Sequence, residues 1–121
     1  MMGLENRYER QLPLLGESSP SILKQKSVLL CGLGGVGGYV LEALVRAGVG
    51  NIIALDNDVF DATNLNRQLL CTAENIGTYK ADAAYKRAKV INEDVNISAE
   101  ILFLTPDNIP ALLDKYKPDY I

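Results

Sequence analysis

The chain has 121 residues, about the size of one ordinary domain, and with 48% apolar and 22% charged residues it reads as a globular rather than a disordered polypeptide. A net charge of -3 and a pI near 4.9 exclude a protein whose main business is gripping a phosphate backbone, so any RNA partner is expected to meet another surface. The absence of histidine removes the commonest metal ligand and the commonest general base near neutral pH; chemistry here must run on carboxylates, Lys, Arg and bound ions.

Met1 to Arg10 carries Glu5, Arg7, Glu9 and Arg10 with no apolar stretch behind them, which argues against a secretory signal. Asn6 to Leu15 is expected to form a short helix closed by Gly16, followed by a polar turn over Glu17 to Pro20 and a helical turn around Ile22 to Lys24. These make an N-terminal helical segment over residues 1–26, ahead of a domain over 27–121. Ser27 to Cys31 is a short apolar run of the kind found in a strand buried on both faces. From Val36 to Ala47, apolar residues at Val36, Val40, Ala43, Leu44 and Ala47 recur at helical spacing, and Gly48 supplies the stop. Asn51 to Leu55 is a second buried-type strand, so the run is a βαβ unit, which closes right-handed with parallel strands.

Asp56 to Tyr79 has little periodicity and is too long for an idle connector; it reads as a functional loop with a short helix near Leu65 to Leu70. Lys80 to Asn92 is a clearer helix, with Ala81, Ala84, Tyr85, Ala88 and Ile91 on one face. Asn96 to Leu104 alternates as a strand, with Ile97, Ala99, Ile101 and Phe103 on one side. Thr105 is expected to cap a helix that has Pro106 in its first turn and runs toward Tyr116. Pro118 to Ile121 reads as the opening of another core strand. The expected fold is therefore α/β, a Rossmann-like, doubly wound, mainly parallel sheet with helices on both faces, truncated at its fourth strand and incomplete at its C-terminus.

The greasiest stretch, Val28 to Gly50, is broken by Glu42 and Arg46 and is rich in glycine, so it is not expected to span a membrane. Cys31 and Cys71 lie far apart with no CxxC partner, which fits neither a disulfide framework nor a zinc site and suits a reducing cytoplasm. Cys31 reads as a small buried residue, and nothing near Cys71 would activate it as a nucleophile.

Gly32-Leu33-Gly34-Gly35-Val36-Gly37 is G-x-G-x-x-G directly after a strand and opening a helix. Gly32 permits the tight turn, Gly34 lets phosphate approach the backbone, and Gly37 allows close helix packing, with Gly35 a further cofactor-binding residue of the same turn. The helix start offers free N–H groups and about half a positive charge to an anion. Asp56 follows Gly37 by 19 residues at the tip of the second strand, where a carboxylate can accept hydrogen bonds from ribose hydroxyls. This motif does not distinguish NAD from ATP.

The next segment does. Asp56-Asn57-Asp58, then Asn64-Leu65-Asn66-Arg67-Gln68, then Lys80 bring carboxylates, amides and two cations after the second strand. A dehydrogenase has no evident use for Arg67 and Lys80, whereas a triphosphate has surplus charge that a fork-shaped guanidinium suits. Each cation can contribute up to roughly 4 kcal/mol before desolvation costs. The competing reading is that Arg67 and Lys80 are ordinary surface cations, and that Asp58, Asn66 and Gln68 serve turns or caps.

Taken with Arg7-Tyr8-Glu9-Arg10-Gln11 and Ile76-Gly77-Thr78-Tyr79-Lys80, these motifs resemble the ubiquitin-activating-enzyme-like superfamily that includes the ThiF, MoeB and HesA adenylyltransferases. The resemblance spans nearly the whole chain and favours ATP with Mg2+ as cofactors. It implies that Asp56 holds the ribose, that Asn64, Arg67 and Lys80 contact the phosphates, and that Arg10 reaches across a homodimer to the partner's ATP. The family reaction is attack of a carboxylate on the α-phosphate, giving an acyl-adenylate and pyrophosphate. No protein base is needed, because the attacking carboxylate is already ionised. The family's Mg2+-binding aspartate would fall after Ile121, and the 121 residues alone are expected to show little or no activity.

Gly35-Val36-Gly37-Gly38, Thr78 to Asp82 and Thr105 to Asn108 look most like the tRNA threonylcarbamoyladenosine dehydratases, which implies adenylation of a modified nucleoside's carboxylate and tRNA as substrate. The alternatives are a sulfur-carrier adenylyltransferase, whose partner is a small ubiquitin-like protein, an NAD-dependent oxidoreductase or NAD-sensing domain, and a non-catalytic scaffold.

Overall fold

Three five-residue strands, β1 (Ser27–Cys31), β2 (Asn51–Leu55) and β3 (Asn96–Glu100), pair in parallel in the order β1-β2-β3, and the computed structural model describes residues 6–121. The first five residues of the expected helical segment lie outside the described residues. Register runs Ser27 to Asn51 and Cys31 to Leu55, then Asn51 to Asn96 and Leu55 to Glu100. Successive strand residues face opposite sides, so the sheet sorts its side chains into two cores. Ile52 and Ala54 join Leu41, Val45, Ala81, Ala84 and Ala88 under helices α3 (Gly37–Ala47) and α4 (Lys80–Ile91). Leu29, Ile53 and Leu55 join Leu112 of α5 (Ile109–Tyr116) on the other face. Helices therefore cover both faces, as the apolar runs of β1 and β2 require.

The far edge of β1 is occupied by the chain's last residues. Leu29 N–H donates to Tyr120 O at 2.9 Å, Asp119 N–H donates to Ser27 O at 2.8 Å, and Val28 bridges Tyr120 in parallel. The chain thus winds from β1 outward to β3 and then crosses back past β1. That reversal puts a crevice at the carboxyl end of β1, where ligands of open α/β sheets bind.

Several expected boundaries move. The helix expected from Asn6 is a 3-10 turn over Glu9–Gln11 followed by α1 (Leu12–Leu15), because Pro13 fits only the first turn of an α-helix. Helix α2 (Ser19–Lys24) starts ahead of Ile22, with Pro20 in its first turn. In α3 the buried stripe is Gly38, Leu41 and Val45, whereas Val36 and Ala43 face solvent. Tyr85 of α4 is likewise exposed. The helix expected near Leu65 to Leu70 is a 3-10 turn over Ala62–Asn64 capped by Asp61. Strand β3 ends at Glu100 because its partner β2 ends at Leu55, which leaves Ile101 and Phe103 unpaired and exposed. Thr105 caps a turn rather than a helix: its N–H donates to Asn108 Oδ1, its Oγ1 accepts from Asn108 N–H, and α5 begins only at Ile109.

Glu42 ties α3 to α4. It accepts hydrogen bonds from Arg87 at 2.6 and 2.9 Å and from Arg46 at 3.0 Å. The Arg87 hydrogen bond, helped by Arg46, holds the Glu42 carboxyl below its ordinary range. A lowered carboxylate pKa contributes stability that is present above the ordinary range and is lost as pH falls through the lowered value. Glu42→Gln is therefore expected to reduce stability by about 0.5–1 kcal/mol at neutral pH. The difference from wild type should close in acid, read by urea denaturation at the two pH values.

Candidate functional site

The crevice is built by the glycine turn, the tip of β2 and the loop that follows it. Gly32 has φ 97°, a left-handed conformation that disfavours any side chain, and its N–H donates to Leu55 O at 2.8 Å. Leu33 is completely buried and plugs the turn into the core. A Cβ on Gly37 would lie 1.8 Å from Gly32 O, so helix and strand approach more closely than any other residue permits. Gly35 faces open space. The amides of Gly34, Gly35, Val36 and Gly37 have no hydrogen-bond partner among the described residues. These are the orphan donors at the start of α3, the arrangement that attracts an anion.

Asp56 does more than its spacing suggested. Its Oδ2 accepts from Leu33 N–H at 2.8 Å and its Oδ1 accepts from Asp58 N–H at 2.8 Å. One carboxylate thereby locks the glycine turn to the tip of β2, while each oxygen keeps a lone pair for a further donor. Beside it, Cys31, Gly32, Leu55, Asp56, Asn57, Asp58 and Leu102 to Leu104 enclose a cleft of about 350 Å³. Its mix of apolar walls and carboxylates suits a small ligand with an apolar body and hydroxyl groups. Cys31 is exposed in this cleft, contrary to its reading as a buried residue, because it is the last residue of β1 and lies where the sheet opens. The contribution of Leu102 to Leu104 is invisible in the sequence, where they continue the strand pattern.

The loop between β2 and α4 is fastened at its base. Phe60 is buried, its N–H donates to Thr78 O at 2.9 Å, its carbonyl accepts from Gly77 N–H at 2.8 Å, and Val59 bridges Tyr79. Lys80 opens α4 from this base. It is 6% exposed, with its ammonium 4.0 Å from Asp58 Oδ2 and 5.7 Å from the Phe60 ring. Lys80 is therefore no ordinary surface cation, and the structure brings it to Asp58. Farther along, Asp61 accepts from Thr63 N–H and Oγ1, bonds that hold its carboxyl below the ordinary range. Asn64 Oδ1 accepts from Asp61 N–H, which commits that oxygen to the turn. Arg67 is exposed and spends one amino group on Thr63 O at 2.9 Å and Asn66 Oδ1 at 3.1 Å, leaving the rest of its fork for solvent or ligand. Gln68, by contrast, is buried, and its Nε2 lies 3.7 Å from where a Cβ on Gly34 would stand. Leu69 and Leu70 pack against Gly38 in the same way, so the loop lies over the start of α3.

Arg10 belongs to a different region. Its neighbour Gln11 donates Nε2–H to Ala47 O at 2.9 Å, Tyr8 packs on Gly48, and Arg7 donates to Asn92 Oδ1, all at the carboxyl ends of α3 and α4. Gly37 and Ala47 are ten residues apart, about 15 Å along the helix axis. The structure does not bring Arg10 to the glycine turn of its own chain.

A parallel sheet with a glycine turn at its switch point and orphan amides opening a helix is a Rossmann-like α/β unit. The match of residues 8–121 to the ThiF family places the chain in that family. It is 40% identical over 113 residues to the sulfur carrier protein adenylyltransferase of Thermus thermophilus, covering 92% of this chain and 42% of the relative. It is 34% identical to the tRNA threonylcarbamoyladenosine dehydratase of Bacillus subtilis, covering 96% and 45%. Among solved structures, the tRNA N6-threonylcarbamoyladenosine dehydratase of E. coli in complex with AMP superposes with a TM-score of 0.89 at 30% identity, covering 95% of this chain and 47% of that one. The same enzyme in complex with ATP gives 0.88 at 31% identity, covering 94% and 47%. The chain spans less than half the length of these relatives. No helix among the described residues is long and apolar enough to cross a membrane.

Proposed function

We propose that this chain binds ATP across the start of α3 and supplies the nucleotide half of a carboxylate-adenylating enzyme. The observation that carries this reading is the row of orphan amides from Gly34 to Gly37 beneath a loop that bears Arg67 and leads to Lys80. The resemblance to a dehydratase solved with AMP and with ATP supports it. Gly32, Gly34, Gly35 and Gly37 shape the phosphate cradle, Asp56 faces the ribose, and Asn64 Nδ2, Arg67 and Lys80 meet the phosphates. The cradle fixes the α-phosphate in line with an incoming carboxylate, and the cations stabilise charge that grows on its oxygens. Attack forms the acyl-phosphate bond and releases pyrophosphate. The largely exposed Asp58 carboxylate, a hard oxygen donor, and the unpartnered Gln68 Oε1, an acceptor for metal-bound water, fit a nucleotide-borne Mg2+, which would neutralise phosphate charge when bound. Arg10, remote from its own cradle, serves a second copy in a homodimer.

The substrate reading favoured here is the carboxylate of a modified nucleoside in tRNA, because the E. coli dehydratase superposes well over almost the whole chain. The 40% identity to the Thermus protein favours a second reading, a small ubiquitin-like sulfur-carrier protein as substrate. Pyrophosphate release from the intact protein with each substrate separates the two.

ATP should bind with release of heat in a calorimeter, and NAD much more weakly. Arg67→Ala should weaken ATP about tenfold or more, since charge-assisted hydrogen bonds contribute about 1.5–3 kcal/mol. Equal affinity for NAD, with Arg67→Ala indistinguishable from wild type, would refute the assignment.

A further inference from the structure

Gln68 is placed by its backbone, whose N–H donates to Asn64 O and whose carbonyl accepts from Cys71 N–H. The residue is 7% exposed and its side chain lies against Gly34, yet Oε1 is buried with no hydrogen-bond partner. Buried polar atoms are nearly always satisfied, and an orphan at the wall of a ligand site points to a partner that arrives with the ligand. The chemistry of that partner is restricted. A carbonyl oxygen accepts hydrogen bonds or coordinates cations, and an ionised triphosphate offers it neither. A divalent cation carried by the nucleotide, with its shell of polarised water, offers both.

On the ATP reading above, we infer that Gln68 is a positioning residue for the nucleotide-borne divalent cation, its Oε1 accepting a hydrogen bond from a water in that cation's shell. The carboxamide then links three things: the glycine turn, the loop that carries Arg67, and the metal. Outer-shell partners of this kind set metal affinity by about 10–100-fold.

The test is calorimetric binding of a non-hydrolysable ATP analogue to the intact protein, in EDTA and across a Mg2+ titration, for wild type, Gln68→Met and Gln68→Glu. Gln68→Met should raise the Mg2+ concentration needed for tight binding at least tenfold while leaving affinity in EDTA unchanged. Gln68→Glu keeps an acceptor and should need no more Mg2+ than wild type. Thermal melting of the free protein gives a second readout: Gln68→Met removes an unsatisfied oxygen, so its melting temperature should equal or exceed that of wild type. The inference is overturned if Gln68→Met needs no more Mg2+ than wild type, if it melts lower with its Mg2+ dependence unchanged, or if Gln68→Glu loses binding even in Mg2+. The last outcome would show the amide N–H, not the oxygen, meeting the phosphates. A wild-type protein that binds no analogue in either condition refutes the ATP reading itself.

Discussion

Gly37→Ala is expected to destabilise the protein by about 3 kcal/mol or more and to abolish nucleotide binding. The added methyl would stand 1.8 Å from the carbonyl oxygen of Gly32, a backbone atom that cannot swing aside like the end of a flexible side chain. Relief requires α3 to pull away from β1, which uncovers Leu41 and Val45 and disperses the row of amides at the helix start. Gly35→Ala is the control two residues away. It meets open space at an ordinary φ, so its unfolding midpoint should match wild type or rise slightly. Urea denaturation of the two variants side by side checks the expectation. Similar midpoints would mean that the helix packs on the strand differently from the arrangement described.

Asp56→Ala should cost about 1–3 kcal/mol, a penalty rooted in the backbone rather than in any ligand. It removes the acceptor of Leu33 N–H, which lies in a residue with no solvent exposure, and that of Asp58 N–H. Asp56→Asn keeps one oxygen but turns an amino group toward the other donor, so it should recover only part of the loss. Melting temperatures of the nucleotide-free protein separate this clamp from ribose binding. A residue that only touched ribose would leave the free protein unchanged and weaken nucleotide affinity alone.

The legible parts of this fold were those written in local pattern. β1 and β2 announce themselves as apolar runs, β2 buried on both faces and β1 burying Leu29 with its neighbours part-covered, and Gly32 and Gly37 stand at the spacing that a strand-to-helix turn demands. Features set by distant residues were not legible. The end of β3 depends on where β2 stops, and the buried stripe of α3 depends on how the helix rolls onto the sheet. At the site, Asp56 could be located from its spacing, but its hold on two backbone amides needs the turn's conformation. Gln68 sits in the polar run Asn64 to Gln68, where composition gives no hint that one amide is buried while its neighbour Arg67 faces water.

The paired hydrogen bonds that join Phe60 to Gly77 and Thr78 have a kinetic consequence. They close the long excursion between β2 and α4 into a loop whose conformational entropy is lost when the chain folds, not when a ligand arrives. On the proposed ATP-binding reading, Arg67 and Lys80 are already mounted before any encounter, so capture of the triphosphate would be governed by diffusion and charge rather than by the slower ordering of a disordered strap.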